Sequence, residues 1–203
     1  MSDLRNQPGA PIESVATTPF VDIVDNPQPK FYVVAPKKFF ILFFITLGIY
    51  IIAWSYQNWV NFKRATKDDD IWPGPRALFC IFFMHSLGRM IEATIKRNEI
   101  KYRWDSAPVA TLFVIAALGS YLLDRLVAYG IGQPITDILS LLALPVMFAP
   151  LYSFQKAANV ACGDPTGASN SNFTWVNWIW IVLGSVLWLG VLIGTYDVIA
   201  RAT

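Results

Sequence analysis

A chain of 203 residues with 55% hydrophobic and only 15% charged residues is too apolar for a soluble domain, where charged residues make up about a quarter. The formal net charge is +2, but of 16 Lys and Arg four precede residue 39, nine lie between Gln57 and Ser106, and only Arg125, Lys156 and Arg201 follow. That is the asymmetry of a membrane topology and not a nucleic-acid footprint, while two distant cysteines and a single histidine suggest no disulfide framework, no metal site and no cofactor.

Residues 1–36 hold six of the thirteen prolines and no hydrophobic periodicity, which reads as a flexible Pro-rich tail ahead of a single membrane domain, 37–203. Lys37 and Lys38 abut an uncharged run, 39–56, that is just long enough for a short span and ends in an aromatic belt of Trp54, Tyr56 and Trp59. After the Pro73-Gly74-Pro75 break, the uncharged stretch before Arg89 falls well short of the roughly 20 residues a crossing takes. Over 77–104 the polar residues His85, Arg89, Glu92, Lys96, Glu99 and Arg103 fall at alternating intervals of four and three, one stripe of a helix, opposite Met84, Leu87, Ile91, Ile95 and Tyr102. This predicts an amphipathic helix lying in the membrane plane, with Glu92–Lys96 and Glu99–Arg103 as i, i+4 pairs and Arg89, Lys96, Arg97, Lys101 and Arg103 at lipid headgroups.

Three cleaner spans follow at about 109–128, 135–154 and 173–199, the first two opened by Pro108 and Pro134. The short connection 129–133 forces them to alternate, so the loop around Asp164 shares a side with the basic segment before Pro108, the cytoplasmic side by the positive-inside rule. A single crossing by 39–56 would put Lys37 and Lys38 opposite that segment, against the same rule. Either 77–95 also crosses or Thr46-Leu47-Gly48 turns the first segment back on itself. The expected fold is therefore an all-α polytopic bundle of about four spans plus an in-plane helix, with five spans as the alternative.

Three stretches carry a resemblance. KKFFILFFITLGIYIIAWSYQNW (37–59) resembles the Thr-Leu-Gly-Ile-Tyr…Trp segment of small bacterial membrane proteins grouped as a domain family of unknown function. RALFCIFFMHSLGRMI (76–91) and ACGDPTGASNSNFTWVNWIWIVLG (161–184) are similar to segments of uncharacterised proteobacterial proteins. The likeness covers most of residues 30–190; it implies a bacterial inner-membrane location and supplies no activity.

Four groups of residues are candidates for function. The polar loop with Asn159, Asp164, Asn170 and Asn172 reads chiefly as an Asp164-Pro165-Thr166-Gly167 turn followed by N-caps for the last span, or else as a small-ion site of clustered amides. Asp124, Arg125, Asp137 and Asp197 share the far, non-cytoplasmic level, as an ion-pair cluster with Arg125 facing Asp124 or Asp137, or as an ion path. Pro145 and Pro150 kink the third of the expected spans, and Gly184, Gly190 and Gly194 give the last span a small-residue packing face, within the chain or in a homo-oligomer. No catalytic motif is present, and His85 reads as a polar-face residue. The first expectation for function is an accessory, regulatory or partner-binding membrane component, touching lipid and engaging a protein partner through its tail. The second is an oligomeric transporter or channel built on the kinked span and the Asp124, Asp137, Asp197 level, and the third a lipid-modifying enzyme.

Overall fold

The computed structural model describes residues 29–202, and their regular secondary structure is all helical. Most of the expected tail, residues 1–28, lies outside the described residues. The helices are α1 (Pro36–Ile45), α2 (Tyr50–Thr66), α3 (Pro73–Leu78), α4 (Cys80–Arg97), α5 (Ser106–Ala128), α6 (Ile135–Ala161) and α7 (Trp175–Ala202). Three helices, α5, α6 and the Trp175–Asp197 stretch of α7, are long and apolar enough to cross a membrane, and at 1.5 Å per residue each spans upwards of roughly 30 Å. They coincide with the last three expected spans, although α6 runs on past Phe154 to Ala161 and carries Pro145 and Pro150 without ending.

The uncharged run 39–56 is not one helix. After Ile45 the chain enters the left-handed region at Leu47 (φ 52°) and Gly48 (φ 84°). The Gly48 N–H donates to the Phe43 carbonyl at 2.9 Å and the Leu47 N–H to the Phe44 carbonyl at 3.2 Å, the two bonds of a Schellman closure. Thr46 Oγ1 donates back to the Leu42 carbonyl (2.8 Å) and accepts the Tyr50 N–H (3.0 Å), so one hydroxyl finishes α1 and starts α2. The result is a helical hairpin, and three helices meet the requirements for crossing where the sequence suggested four or five.

The expected amphipathic helix also differs. It is broken at Phe79 and stops at Arg97, because Glu99 takes a left-handed conformation (φ 52°) and the Ile100 N–H returns to the Ile95 carbonyl at 3.1 Å. Lys101 and Arg103 therefore lie beyond α4 in a non-helical connection, and the helical Glu99–Arg103 pair does not form. The Glu92–Lys96 pair does form, at 2.5 Å. The other Glu92 oxygen accepts from the Ser106 N–H (3.1 Å) and hydroxyl (2.6 Å) at the N-terminus of α5, and these bonds, led by that from Lys96, hold the Glu92 pKa down to about 2. The apolar face that should meet lipid, with Met84, Leu87, Ile91 and Ile95, is instead buried within the protein, where α4 packs on α5 and α6.

Aromatic rings fill the space between the hairpin and α6. Phe39 lies 5.9 Å from Trp54 and 5.6 Å from Phe148, and Phe154 packs edge-on to Trp104 at 5.2 Å. α7 docks on the end of α1: a Cβ at Gly184 would sit 2.2 Å from the Ile45 carbonyl oxygen, and the Trp188 indole N–H donates to the Phe44 carbonyl at 3.0 Å. Gly190 and Gly194 meet nothing within 4 Å, so only Gly184 of the three candidate glycines packs another helix. Gly184→Ala is expected to destabilise the protein on the order of 2 kcal/mol through overpacking against rigid backbone, whereas Gly190→Ala should leave the thermal midpoint in detergent unchanged or slightly raised.

Candidate functional site

The last residues of the expected tail are part of the core. Phe31–Ala35 is a run without regular secondary structure that leaves in extended conformation at Ala35 (φ −62°, ψ 136°), with Phe31, Val33 and Val34 buried, and with no partner strand among the described residues its backbone is satisfied largely by side chains. Asn159 contributes most. Its Oδ1 accepts the Val34 N–H at 3.2 Å and its Nδ2 donates to the Val34 carbonyl at 3.0 Å, so one amide side chain imitates the peptide group of a neighbouring strand. Gln155, one turn earlier on α6, donates to the Tyr32 carbonyl (3.0 Å) and to Asn159 Oδ1 (2.7 Å), while accepting the Trp54 indole N–H at 2.5 Å. From α2, Asn58 Oδ1 accepts the Tyr32 N–H at 3.1 Å. Cys162 Sγ lies 3.3 Å from the Phe31 N–H, which it accepts, and 3.7 Å from the Phe31 carbonyl. Burial raises the thiol pKa and keeps its proton in place for the second of these contacts.

The polar loop closes this clasp. Asn170 Nδ2 donates to the Val33 carbonyl at 2.8 Å, and its own carbonyl accepts the Ala35 N–H at 3.3 Å. Lys38, 2% exposed, gives its ammonium to Asn170 Oδ1 (2.6 Å) and to the Asn172 carbonyl (2.7 Å), and burial lowers its pKa. The expected turn is present, with the Gly167 N–H on the Asp164 carbonyl at 3.0 Å. The Asp164 carboxylate accepts the Ala168 and Ser169 N–H groups at 3.0 and 2.9 Å and the Thr166 hydroxyl at 3.2 Å; led by the Ser169 N–H, these bonds bring its pKa to about 2. Gly167 has φ 66°, and a Cβ there would fall 2.4 Å from the Val34 carbonyl oxygen; only glycine lets the loop lie on the run.

Asn170 and Asn172 accordingly do not cap α7. That end is closed by Asn177, whose Oδ1 accepts the Thr174 N–H and hydroxyl at 2.9 and 3.1 Å. The amides that could have gathered a small ion, Asn159 and Asn170, are occupied by the chain's own backbone and by Lys38. Trp54, Asn58, Gln155 and Cys162 are the members the sequence reading passed over; the signal was there as polar residues at helical spacing, 54–58 and 155–159–162, within otherwise apolar stretches.

At the opposite end of the spans the four charged candidates are only partly united. Ser140 donates a short hydrogen bond to Asp124, and Gln133 reaches Asp137 Oδ1 at 3.5 Å. Asp137 Oδ2 is buried without a partner beside a cavity of about 310 Å³ lined also by Gln133, Ser140, Val191 and Thr195. The expected pairing of Arg125 with Asp124 or Asp137 is absent. Arg125 turns instead to Tyr129, one helical turn on, donating to its hydroxyl at 3.2 Å with the guanidinium 5.3 Å from the ring centroid. Asp197 is exposed on α7. Of the basic residues, Arg89, Lys96 and Arg97 are exposed on α4, and Lys101 and Arg103 are exposed beyond its end. His85 is half-buried, and its Nε2 lies 3.1 Å from Thr111 Oγ1, linking α4 to α5.

A chain whose described residues are all helical in their regular structure and include three helices fit to cross a bilayer has the make-up of an integral membrane protein. No protein-family model matches the chain, and neither does any curated protein or solved structure. The clasp makes a sharp contrast testable. Asn159→Ala strands the buried Val34 N–H and carbonyl and should cost on the order of 3 kcal/mol, whereas Asn172→Ala, which loses no side-chain bond, should stay within about 0.5 kcal/mol of the wild type in the same thermal unfolding series.

Proposed function

We propose that this is a small protein of the bacterial cytoplasmic membrane, a location that follows the resemblance, acting as an accessory, regulatory or partner-binding component. In this reading α5, α6 and α7 cross the bilayer, and the α1–α2 and α3–α4 hairpins dip into it from the side of the α6–α7 loop without crossing. Several contacts support the threading. Lys38 at the start of α1 is bonded to Asn170 and Asn172 in that loop, while the end of α1 meets α7 at Gly184 and Trp188, on the order of 14–20 Å along the helix. On α4, Glu92 meets Ser106 and His85 meets Thr111, so α4 runs antiparallel to the first half of α5 with its apolar end pointing inward. At that end Leu78, Phe79 and Phe82 are 64%, 53% and 77% exposed, a patch suited to hydrocarbon and not to water. Lys37, Lys38, the nine-charge segment and the Asp164 loop then all fall on one side, which removes the conflict with the positive-inside rule.

The observation that carries the partner-binding role is the solid interior: rings of Phe39, Trp54, Phe148 and Phe154, together with the clasped run, fill the space between hairpins and spans. A body so filled is suited to present surfaces. Such a surface is the basic face of Arg89, Lys96, Arg97, Lys101 and Arg103, and the Pro-rich sequence ahead of Pro29 is the second handle of this reading. One observation favours the transporter or channel as a second reading: the cavity beside the unpartnered Asp137 oxygen, next to open Gly194, in a protein that would then be an oligomer. Cysteine labels at Lys37, Lys67, Ala107 and Ser169 should report one side and a label at Gln133 the other; opposite sides for Lys37 and Lys67 would restore a span in 39–56. A photocrosslinker at Arg89 or Lys101 in native membranes should trap a discrete protein, whereas proton or cation flux in proteoliposomes that is lost in Asp137→Asn would establish the transporter instead.

A further inference from the structure

The C-terminal ends of α4 and α6 converge beside the start of the clasped run on an open cavity of about 480 Å³, whose wall includes Lys30, Thr94, Arg97, Asn98 and Cys162. Two cations line this wall and no carboxylate does. Neither Lys30 nor Arg97 has an ion-pair partner among the described residues, where the pairs are Lys63–Asp69 and Lys96–Glu92. Asp164 forms no ion pair with either; its two oxygens bond to the N–H groups and hydroxyl of its own turn. Burial and then repulsion from Arg97 both lower the Lys30 pKa, so the two charges are close enough to oppose each other.

Both cations sit on restrained backbone. Arg97 is the last residue of α4, next to the Ile100-to-Ile95 closure. Lys30 directly precedes Phe31, whose N–H and carbonyl are both held by Cys162, and its ammonium lies 5.2 Å from the Phe62 ring centroid. The C-termini of α4 and α6 each bring the negative end of a helix dipole to this cavity, which favours a cation beside each. Two cations that repel each other across one cavity are stabilised further by an anion between them. The guanidinium fork suits a pair of phosphate oxygens, the ammonium supplies a point charge, and the Asn98 amide is a neutral donor in the same wall.

We infer that this cavity binds a phosphate-bearing anion, with Lys30 and Arg97 as its charged donors. The inference stands on the geometry of the cavity and needs neither the threading nor the partner-binding role. The test uses the full chain in maltoside micelles, which carry no phosphate, and follows the thermal midpoint against inorganic phosphate and pyrophosphate, with chloride at matched ionic strength as control. A saturable rise with the oxyanions and not with chloride is expected. Arg97→Gln and Lys30→Gln should each keep or raise the midpoint without phosphate, because a repulsion is relieved, and weaken the response to phosphate at least tenfold. Doping the micelles with an anionic phospholipid identifies the source: a rise that makes added phosphate ineffective assigns the site to a lipid headgroup, and an undiminished phosphate response assigns it to a water-borne ligand. Equal responses to chloride and phosphate, or a phosphate response untouched in both variants, would overturn the inference.

Discussion

A buried peptide segment outside helix and sheet has to find a partner for each N–H and each carbonyl, and one without a neighbouring strand has no ladder to supply them. Each group left alone costs on the order of 1–3 kcal/mol, so a five-residue run such as Phe31–Ala35 could not lie in this core unpartnered. The partners are mostly side chains, joined by the Asn170 backbone carbonyl at the Ala35 N–H. Asn58 from α2, Gln155 and Asn159 from α6, Cys162 just past its end, and Asn170 from the α6–α7 loop converge on it, and other features of the fold follow from bringing them there. α6 must extend two turns past its purely apolar part to carry Gln155 to Ala161. The loop must bend at glycine to lie on Val34, and α1 must start at Pro36, immediately after the clasped run.

The same economy of partners governs the far end of α1. A helix that ends among apolar side chains leaves its last carbonyls without water, and here they are answered by the Leu47 and Gly48 N–H groups, the Thr46 hydroxyl and the Trp188 indole. This explains how α1 and α2 can be two short helices joined by a tight turn in an otherwise apolar setting. It also makes Gly184 a structural necessity of α7, since the carbonyl of Ile45 lies where a methyl group would be.

How much of this could be read in the sequence depends on the range of the interactions. The three long apolar helices were legible because each contains a long uninterrupted uncharged run, and so were the Glu92–Lys96 pair and the Asp164–Gly167 turn, whose partners lie within four residues of each other. The hairpin in 39–56 was visible only as an alternative, because uncharged length does not tell a span from two short helices; Thr46, Leu47 and Gly48 decide it through backbone conformation. The end of α4 was hidden because its left-handed residue is Glu99 where a glycine would have announced the stop. Arg125 was assigned to an acid, Asp137 on the next helix or the adjacent Asp124, yet Tyr129 one turn along its own helix was within reach. The clasp was the least legible: Asn159 and Val34 are 125 residues apart, and an asparagine in a polar loop reads locally as a cap whatever it binds.

The central claim is that Phe31–Ala35 is held as firmly as a strand in a sheet, mainly by side chains, with the Asn170 carbonyl completing the set at Ala35. Hydrogen exchange resolved to single amides across residues 29–36 tests it most directly. Tyr32, Val34 and Ala35, whose N–H groups are bonded to Asn58, Asn159 and Asn170, should exchange as slowly as the interior amides of α6, and the Val34 amide should lose its protection in Asn159→Ala. Exchange of these amides at the rate of a free peptide in the wild-type protein would contradict the account.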